Sequence, residues 1–159
     1  MSPMEIPDRR SPAPGRRLFS TQQVVIATVI GSLIAGILLI WLNYRAMQRP
    51  DLATRVALAG LTLQGILLFL GFVLPESPWL SLTLMFAQIL LVWLGTERLQ
   101  GPAIHYHLRN GGATHSTWLA VGMGFAVGFA LLILFVAGIM VTGVPPATLQ
   151  PASQAGSGY

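Results

Sequence analysis

The sequence predicts an all-α polytopic membrane protein with four transmembrane helices. Of its 159 residues, 53% are hydrophobic and only 9% are charged, whereas soluble domains carry about 25% charged residues. Four apolar segments reach the roughly 20 residues that cross a bilayer core. The predicted helices lie at about 21–44, 52–74, 78–99 and 117–142, and a short interfacial helix is predicted at about 102–109.

The chain outside the membrane region predicts two disordered tails around one domain. Residues 1–20 are rich in Arg and Pro, and residues 145–159 contain Pro and no charge. Neither tail has apolar surface to bury. The domain organisation is therefore a 1–20 tail, a four-helix membrane domain at 21–144, and a 145–159 tail.

Arginine supplies all nine basic residues, against five acids, and no cysteine is present. The arginines lie in short loops beside apolar runs, as membrane topology requires, so we expect no nucleic-acid partner. The absence of cysteine excludes disulfides, thiolate metal sites and thiol catalysis.

Helix one is predicted to span, because residues 24–42 are uncharged and contain no Pro. Trp41 and Tyr44 mark its interfacial end, and Gly31 with Ala35 would permit close helix approach. The remaining helices have clear ends. Asp51 is the predicted N-cap of helix two, and the Pro75-Glu76-Ser77-Pro78 turn separates helices two and three.

The arginine distribution predicts that loops 45–55 and 97–118 face the cytoplasm. The tail with its four arginines would then be exported, which leaves five arginines inside and four outside. Three arrangements remain open: a translocated tail, insertion in both orientations, or a helix one that breaks near Gly31 or Gly36 and re-enters. We take four spanning helices as the prediction, because re-entrant backbone needs a protein cover.

The three histidines are the only cluster of ligand-type side chains. His105, His107 and His115 could hold a metal or haem, but side chains two apart on a helix point to nearly opposite sides. We expect a solvated loop with no cofactor. No ionisable residue falls inside the apolar blocks, which disfavours a proton-coupled transporter, and no hydrolase motif surrounds Ser116.

Helices two and three are predicted to form an antiparallel hairpin whose register is set by Gln64 and Gln88. Both amides lie about 13 Å from the cytoplasmic ends of their helices, where Arg55 and Glu97 would form an interfacial ion pair. The predicted helix-packing residues are Gly60, Gln64, Gly71, Gln88, Gly95, Gly124 and Gly128.

Two segments carry a resemblance to known proteins. Gln100-Gly101-Pro102-Ala103-Ile104, with His107, Gly111-Gly112 and Ser116-x-Trp118, resembles a loose group of small uncharacterised bacterial four-helix integral membrane proteins, as does Asn43-Tyr44-Arg45 through Arg49-Pro50. The resemblance covers about residues 19–140 and implies a four-helix membrane protein, with no functional residue attached.

The sequence therefore predicts a non-enzymatic protein of the bacterial inner membrane that acts by helix packing with itself or with a membrane partner. One alternative is a small transporter or channel-like subunit with a polar lining of Thr62, Gln64 and Gln88. Another is a haem- or metal-binding subunit that uses the histidine loop.

Overall fold

The computed structural model describes residues 16–75 and 77–142 and is all-helical over those residues. The helices are α1 (Thr21–Ala46), α2 (Pro50–Val73), α3 (Pro78–Arg109) and α4 (Thr117–Thr142). All four are long and apolar enough to cross a membrane. The predicted tails lie outside the described residues, except for residues 16–20.

Helix α1 does not run straight, because its backbone reverses at Gly31 and Ser32. If residues 19–43 formed one straight helix, Phe19 and Asn43 would lie about 36 Å apart. Instead, the Phe19 N–H donates to Asn43 Oδ1 at 2.8 Å. Residues 21–30 (the first arm) and 33–46 (the second arm) therefore form an antiparallel helical hairpin. The structure thus replaces the single straight helix expected at about 21–44 with two arms, and the break lies at Gly31, one of the two positions named for the alternative arrangement.

Small and hydroxyl-bearing residues make this reversal feasible. Ser32 has φ 72° and ψ 178°, and its Oγ accepts the Ile34 N–H at 3.4 Å, as an N-cap does at the start of the second arm. A Cβ at Gly36 would overlap Thr28 Oγ1 of the first arm. The arms are about 15 Å and 21 Å long at 1.5 Å per residue. Each therefore reaches about half to two-thirds of the way across a core roughly 30 Å thick.

The helical hairpin is the core of the fold. In the most apolar window of α1, 56% of the residues are buried, against 6%, 11% and 6% for α2, α3 and α4. Ile37 of the second arm fills the space over Gly60 of α2, and Val92 of α3 lies against Gly36. Helices α2 and α3 each pack chiefly on α1. The reversal is thus covered by protein, which re-entrant backbone in a membrane requires.

Helix α3 is longer than predicted, because it continues through Pro102 to Arg109. The separate interfacial helix at 102–109 is therefore the last part of α3. The helix stops at Asn110, as predicted, with Gly111 at φ 77° and the Gly112 N–H bonded to the His107 carbonyl at 2.9 Å. Helix α2 begins with Pro50, and Asp51 lies in its first turn instead of capping it.

The hairpin brings three chain segments to one end of the molecule, called here the arginine end. They are residues 16–20, 46–50 and 109–117, joined by contacts from Leu18 to Ala113 and from Phe19 to Asn43. Five of the seven arginines of the described residues lie in or next to these segments, namely Arg16, Arg17, Arg45, Arg49 and Arg109. The turn at Pro75 has no arginine in the sequence. The two sides of the fold therefore differ far more in positive charge than a spanning helix one would allow.

Candidate functional site

Buried amides close the open end of the helical hairpin. The Asn43 side chain, 1% exposed, accepts from the Phe19 N–H and donates to the Phe19 carbonyl at 2.9 Å and to Gln100 Oε1 at 2.9 Å. Gln100, fully buried in α3, in turn donates to the Ile40 carbonyl at 2.9 Å. Buried polar groups are nearly always hydrogen-bonded. These bonds therefore hold the start of the first arm, the end of the second arm and α3 side by side.

A second group of bonds ties the first arm to the connection between α3 and α4. Ser20 and Gln23 form a reciprocal capping box at the start of α1. Gln23 Nε2 also donates to the His115 carbonyl at 2.6 Å and to Thr117 Oγ1 at 3.4 Å. The Gln23 side chain therefore caps one helix and holds the start of another.

Leu18 joins the N-terminal segment to the same connection through its backbone. Its N–H donates to the Ala113 carbonyl at 3.3 Å, and its carbonyl accepts from the His115 N–H at 3.0 Å. The side chain is fully buried and packs with Met47 and Ile104. The residue two positions before Ser20 is thus held by backbone hydrogen bonds and by buried apolar contacts.

The three histidines occupy different environments. Exposed His105 lies 3.4 Å from Glu97 Oε1, and His107 Nε2 lies 3.3 Å from the Ala113 carbonyl with its ring over Gly112. His115 stacks on Phe19 at a centroid distance of 4.3 Å. Over residues 16–75 and 77–142, no three His, Asp or Glu side chains converge on a common point.

His115 lies beside a cluster of arginines. Arg16, Arg17 and Arg45 line a cleft of about 430 Å³ together with Phe19 and His115, and its remaining lining residues are Leu42, Asn43, Ala46, Leu119 and Met123. Burial and the positive charge of Arg17 lower the pKa of His115, although a hydrogen bond with the Arg17 backbone opposes them. The neutral imidazole is therefore favoured in the fold.

The predicted ion pair between Arg55 and Glu97 is not formed. Glu97 accepts from Thr21 Oγ1 at 3.0 Å and pairs with His105 instead. The His105 Nε2 to Glu97 Oε1 distance is 3.4 Å. The prediction failed because it placed α2 beside α3, whereas Glu97 lies against the start of the first arm.

The predicted bond between Gln64 and Gln88 is also absent. Gln64 Oε1 is buried without a hydrogen-bond partner. The matched depths of the two amides presupposed a direct α2–α3 contact, but both helices pack chiefly on the hairpin. The register argument is therefore corrected.

The predicted packing glycines divide into two groups. Gly60 lies under Ile37, Gly124 lies against Ala27 and Ile30, and Gly128 lies close to the Ile30 carbonyl. Around Gly71 and Gly95, no atom would lie within 4 Å of an added Cβ. The close approaches thus all involve the helical hairpin.

Sequence reasoning missed the buried side chains that organise the site. Gln23, Asn43, Thr96 and Gln100 are at most 5% exposed. One signal was available: Phe19 and Asn43 are each twelve positions from Gly31, as two ends of a reversal centred there would be. Comparisons of the chain with protein-family models, with curated proteins and with solved structures returned no match.

Proposed function

We propose that the protein is a non-enzymatic component of the bacterial inner membrane that acts by packing its helices against a second copy or another membrane protein. The observation that carries this proposal is an open apolar groove of about 940 Å³ between the first arm and α3. None of its lining residues is charged. They are Gln22, Val25, Ile26, Thr83, Phe86, Ala87, Ile89, Leu90 and Trp93.

The groove follows from the length of the first arm. The arm starts beside Glu97, where Thr21 Oγ1 donates to the carboxylate, and ends near the middle of the membrane. The α3 segment from Thr83 to Phe86 therefore extends beyond the reversal. Large side chains along the groove stay uncovered: Phe86 is 63% exposed and Leu90 is 51% exposed. Because lipid tails are as apolar as these side chains, association there would depend on close packing.

Crosslinking in native membranes tests this proposal. A photoreactive residue at Phe86 should give a protein adduct of defined mass. The same residue at Leu68, which is 58% exposed on α2 outside the groove, should react with lipid only. Equal protein adducts at both positions, or lipid adducts alone at both, would contradict the proposal.

We further propose that the arginine end faces the cytoplasm, because arginine in short loops stays on that side. Single cysteines at Ser11, which lies outside the described residues, and at Ala113 should resist an impermeant thiol reagent in intact spheroplasts. A cysteine at Ser77 should react. Labelling of position 11 from outside would overturn the common side of the N-terminal segment and the α3–α4 connection.

A small transporter or channel-like subunit is the second candidate, favoured by two observations. Re-entrant helices in membranes commonly line pathways, and the oxygens Gln64 Oε1 and Thr96 Oγ1 are buried without partners. Flux of small polar solutes into proteoliposomes would test it. Flux that a Gln64→Leu variant abolishes would favour this candidate, and flux equal to that of empty liposomes would eliminate it.

A further inference from the structure

We infer that the arginine-lined cleft binds an anionic phospholipid, with the phosphate of the headgroup held by Arg16, Arg17 and Arg45. This inference goes beyond the proposed helix packing and does not depend on it, because the cleft lies at the arginine end and shares no lining residue with the apolar groove.

The first argument is charge. Three guanidinium groups line a cleft of about 430 Å³ that contains no Asp or Glu. None of the three forms an ion pair with a carboxylate among the described residues. Guanidinium binds phosphate through paired hydrogen bonds in a fixed planar geometry. A phosphate would therefore supply the counter-charge that the described part of the chain does not provide.

The second argument is preorganisation. The Arg45 guanidinium carbon lies 4.9 Å from the centre of the Trp41 ring, and Arg16 Nη1 donates to the Arg45 carbonyl at 3.4 Å. Arg17 precedes Leu18, whose backbone is bonded on both sides to the α3–α4 connection. Side chains and backbone that are already held lose less entropy when a ligand binds.

The third argument is the apolar side of the cleft, which selects a lipid over a free phosphate. Leu42 precedes Arg45 by one turn of the second arm, and Leu119 and Met123 lie on successive turns near the start of α4. The two α4 side chains differ in depth by about 6 Å. The lining therefore changes from cationic to apolar in the order in which a phospholipid changes from headgroup to acyl chain.

Lipid binding by the full-length protein tests the inference. The protein in phosphatidylcholine nanodiscs would be titrated with spin-labelled phosphatidylglycerol, and the immobilised fraction would be measured. We expect phosphatidylglycerol to be immobilised in preference to spin-labelled phosphatidylcholine. Each of Arg16→Gln, Arg17→Gln and Arg45→Gln should weaken binding about fivefold. Arg45→Lys should lose less, because it keeps the charge.

Matched controls are available at the same end of the molecule. Arg98→Gln and Arg109→Gln remove the same charge outside the cleft and should change the affinity by less than about twofold. Equal losses from cleft and control variants would mean diffuse attraction to the arginine end and would overturn the site. Displacement of the lipid by millimolar inorganic phosphate would identify a free-phosphate site and overturn the lipid.

A second measurement keeps all three arginines, so its result does not depend on whether the arginine variants fold. It measures quenching of tryptophan fluorescence by brominated lipid. Phosphatidylglycerol brominated near the headgroup end of its acyl chains should quench the Trp41 signal more than brominated phosphatidylcholine does, with Trp41→Phe defining that signal. Equal quenching by the two lipids would contradict the inference regardless of how the arginine variants behave.

Discussion

Phe19 and Asn43 are separated by 24 residues in the chain, yet the Asn43 amide bonds both the N–H and the carbonyl of Phe19. One side chain thus satisfies the backbone of a residue that lies just outside a helix and has no helical partner of its own. The contact defines where the two arms of the hairpin meet and connects them to Gln100 of α3.

Replacement of Asn43 by Ala should destabilise the fold strongly. The variant leaves the Phe19 backbone and Gln100 Oε1 without their partner, and an unsatisfied buried group costs about 1–3 kcal/mol. We expect a loss of about 3 kcal/mol in the free energy of unfolding, measured by SDS titration in mixed micelles. Asn110→Ala, which removes an exposed bond to the Tyr106 carbonyl, should cost less than about 0.5 kcal/mol. Similar losses in both variants would contradict the stabilising role of the Asn43 hydrogen bonds.

A methyl group at the reversal should force α4 away from the hairpin. A Cβ at Gly31 would overlap the Gly124 carbonyl oxygen, and overpacking of this kind costs about 1–3 kcal/mol. The control is Gly65→Ala, since no atom would lie within 4 Å of the added Cβ. In the same unfolding assay the control should be neutral or stabilising by up to about 1 kcal/mol. A neutral Gly31→Ala would show that the approach of α4 is loose.

Two buried threonines, one with a hydrogen-bonded hydroxyl and one without, offer a test of buried hydrogen bonding. Thr96 is fully buried and its Oγ1 has no partner, whereas Thr28 Oγ1 donates to the Val24 carbonyl at 2.9 Å. Thr96→Val should therefore stabilise the protein by about 1 kcal/mol, and Thr28→Val should destabilise it by about 0.5–1.5 kcal/mol. If both substitutions change the free energy of unfolding in the same direction, the assignment of Thr96 as unpaired is wrong.

Stability should fall in mild acid because of His115. Its pKa is lowered in the fold by burial and by Arg17, and Arg16 and Arg45 line the same cleft. The unfolded chain therefore binds the proton more readily. Stability is full above the ordinary histidine pKa of 6.5, decreases as the pH falls below it, and levels off once the pH is below the folded pKa. His115→Phe keeps the ring stack and should flatten this part of the pH profile, measured by thermal unfolding between pH 8 and pH 4. An unchanged profile would contradict the role of His115.

The helix ends that carry their own local signals could be predicted from the sequence. Thr117 begins α4, Asn110 and Gly111 end α3, and the prolines beside Ser77 separate α2 from α3. Each rests on a preference of one or two residues for a particular backbone geometry. The path of α1 has no such local determinant, because an apolar run without Pro is equally compatible with one long helix and with two short arms.

The contacts between helices were predicted less well, because matched depth does not identify neighbours. Counting along the sequence put Gln64 and Gln88 at similar depths, but α1 is the main neighbour of both α2 and α3. The imbalance of five arginines against four was the stronger clue. The reversal at Gly31 accounts for it, since Arg16 and Arg17 lie beside Arg45 and next to the α3–α4 connection.

The packing of Gly31 against Gly124 also has a consequence for the order of events during biosynthesis. The hairpin leaves the ribosome first, but Gly124, whose carbonyl lies against Gly31, is synthesised only 93 residues later (124 minus 31). At about 5–20 residues per second, this delay lasts on the order of 5–20 s. During that interval the nascent hairpin can pack on α2 and α3, but the close approach of Gly124 to Gly31 has not yet formed.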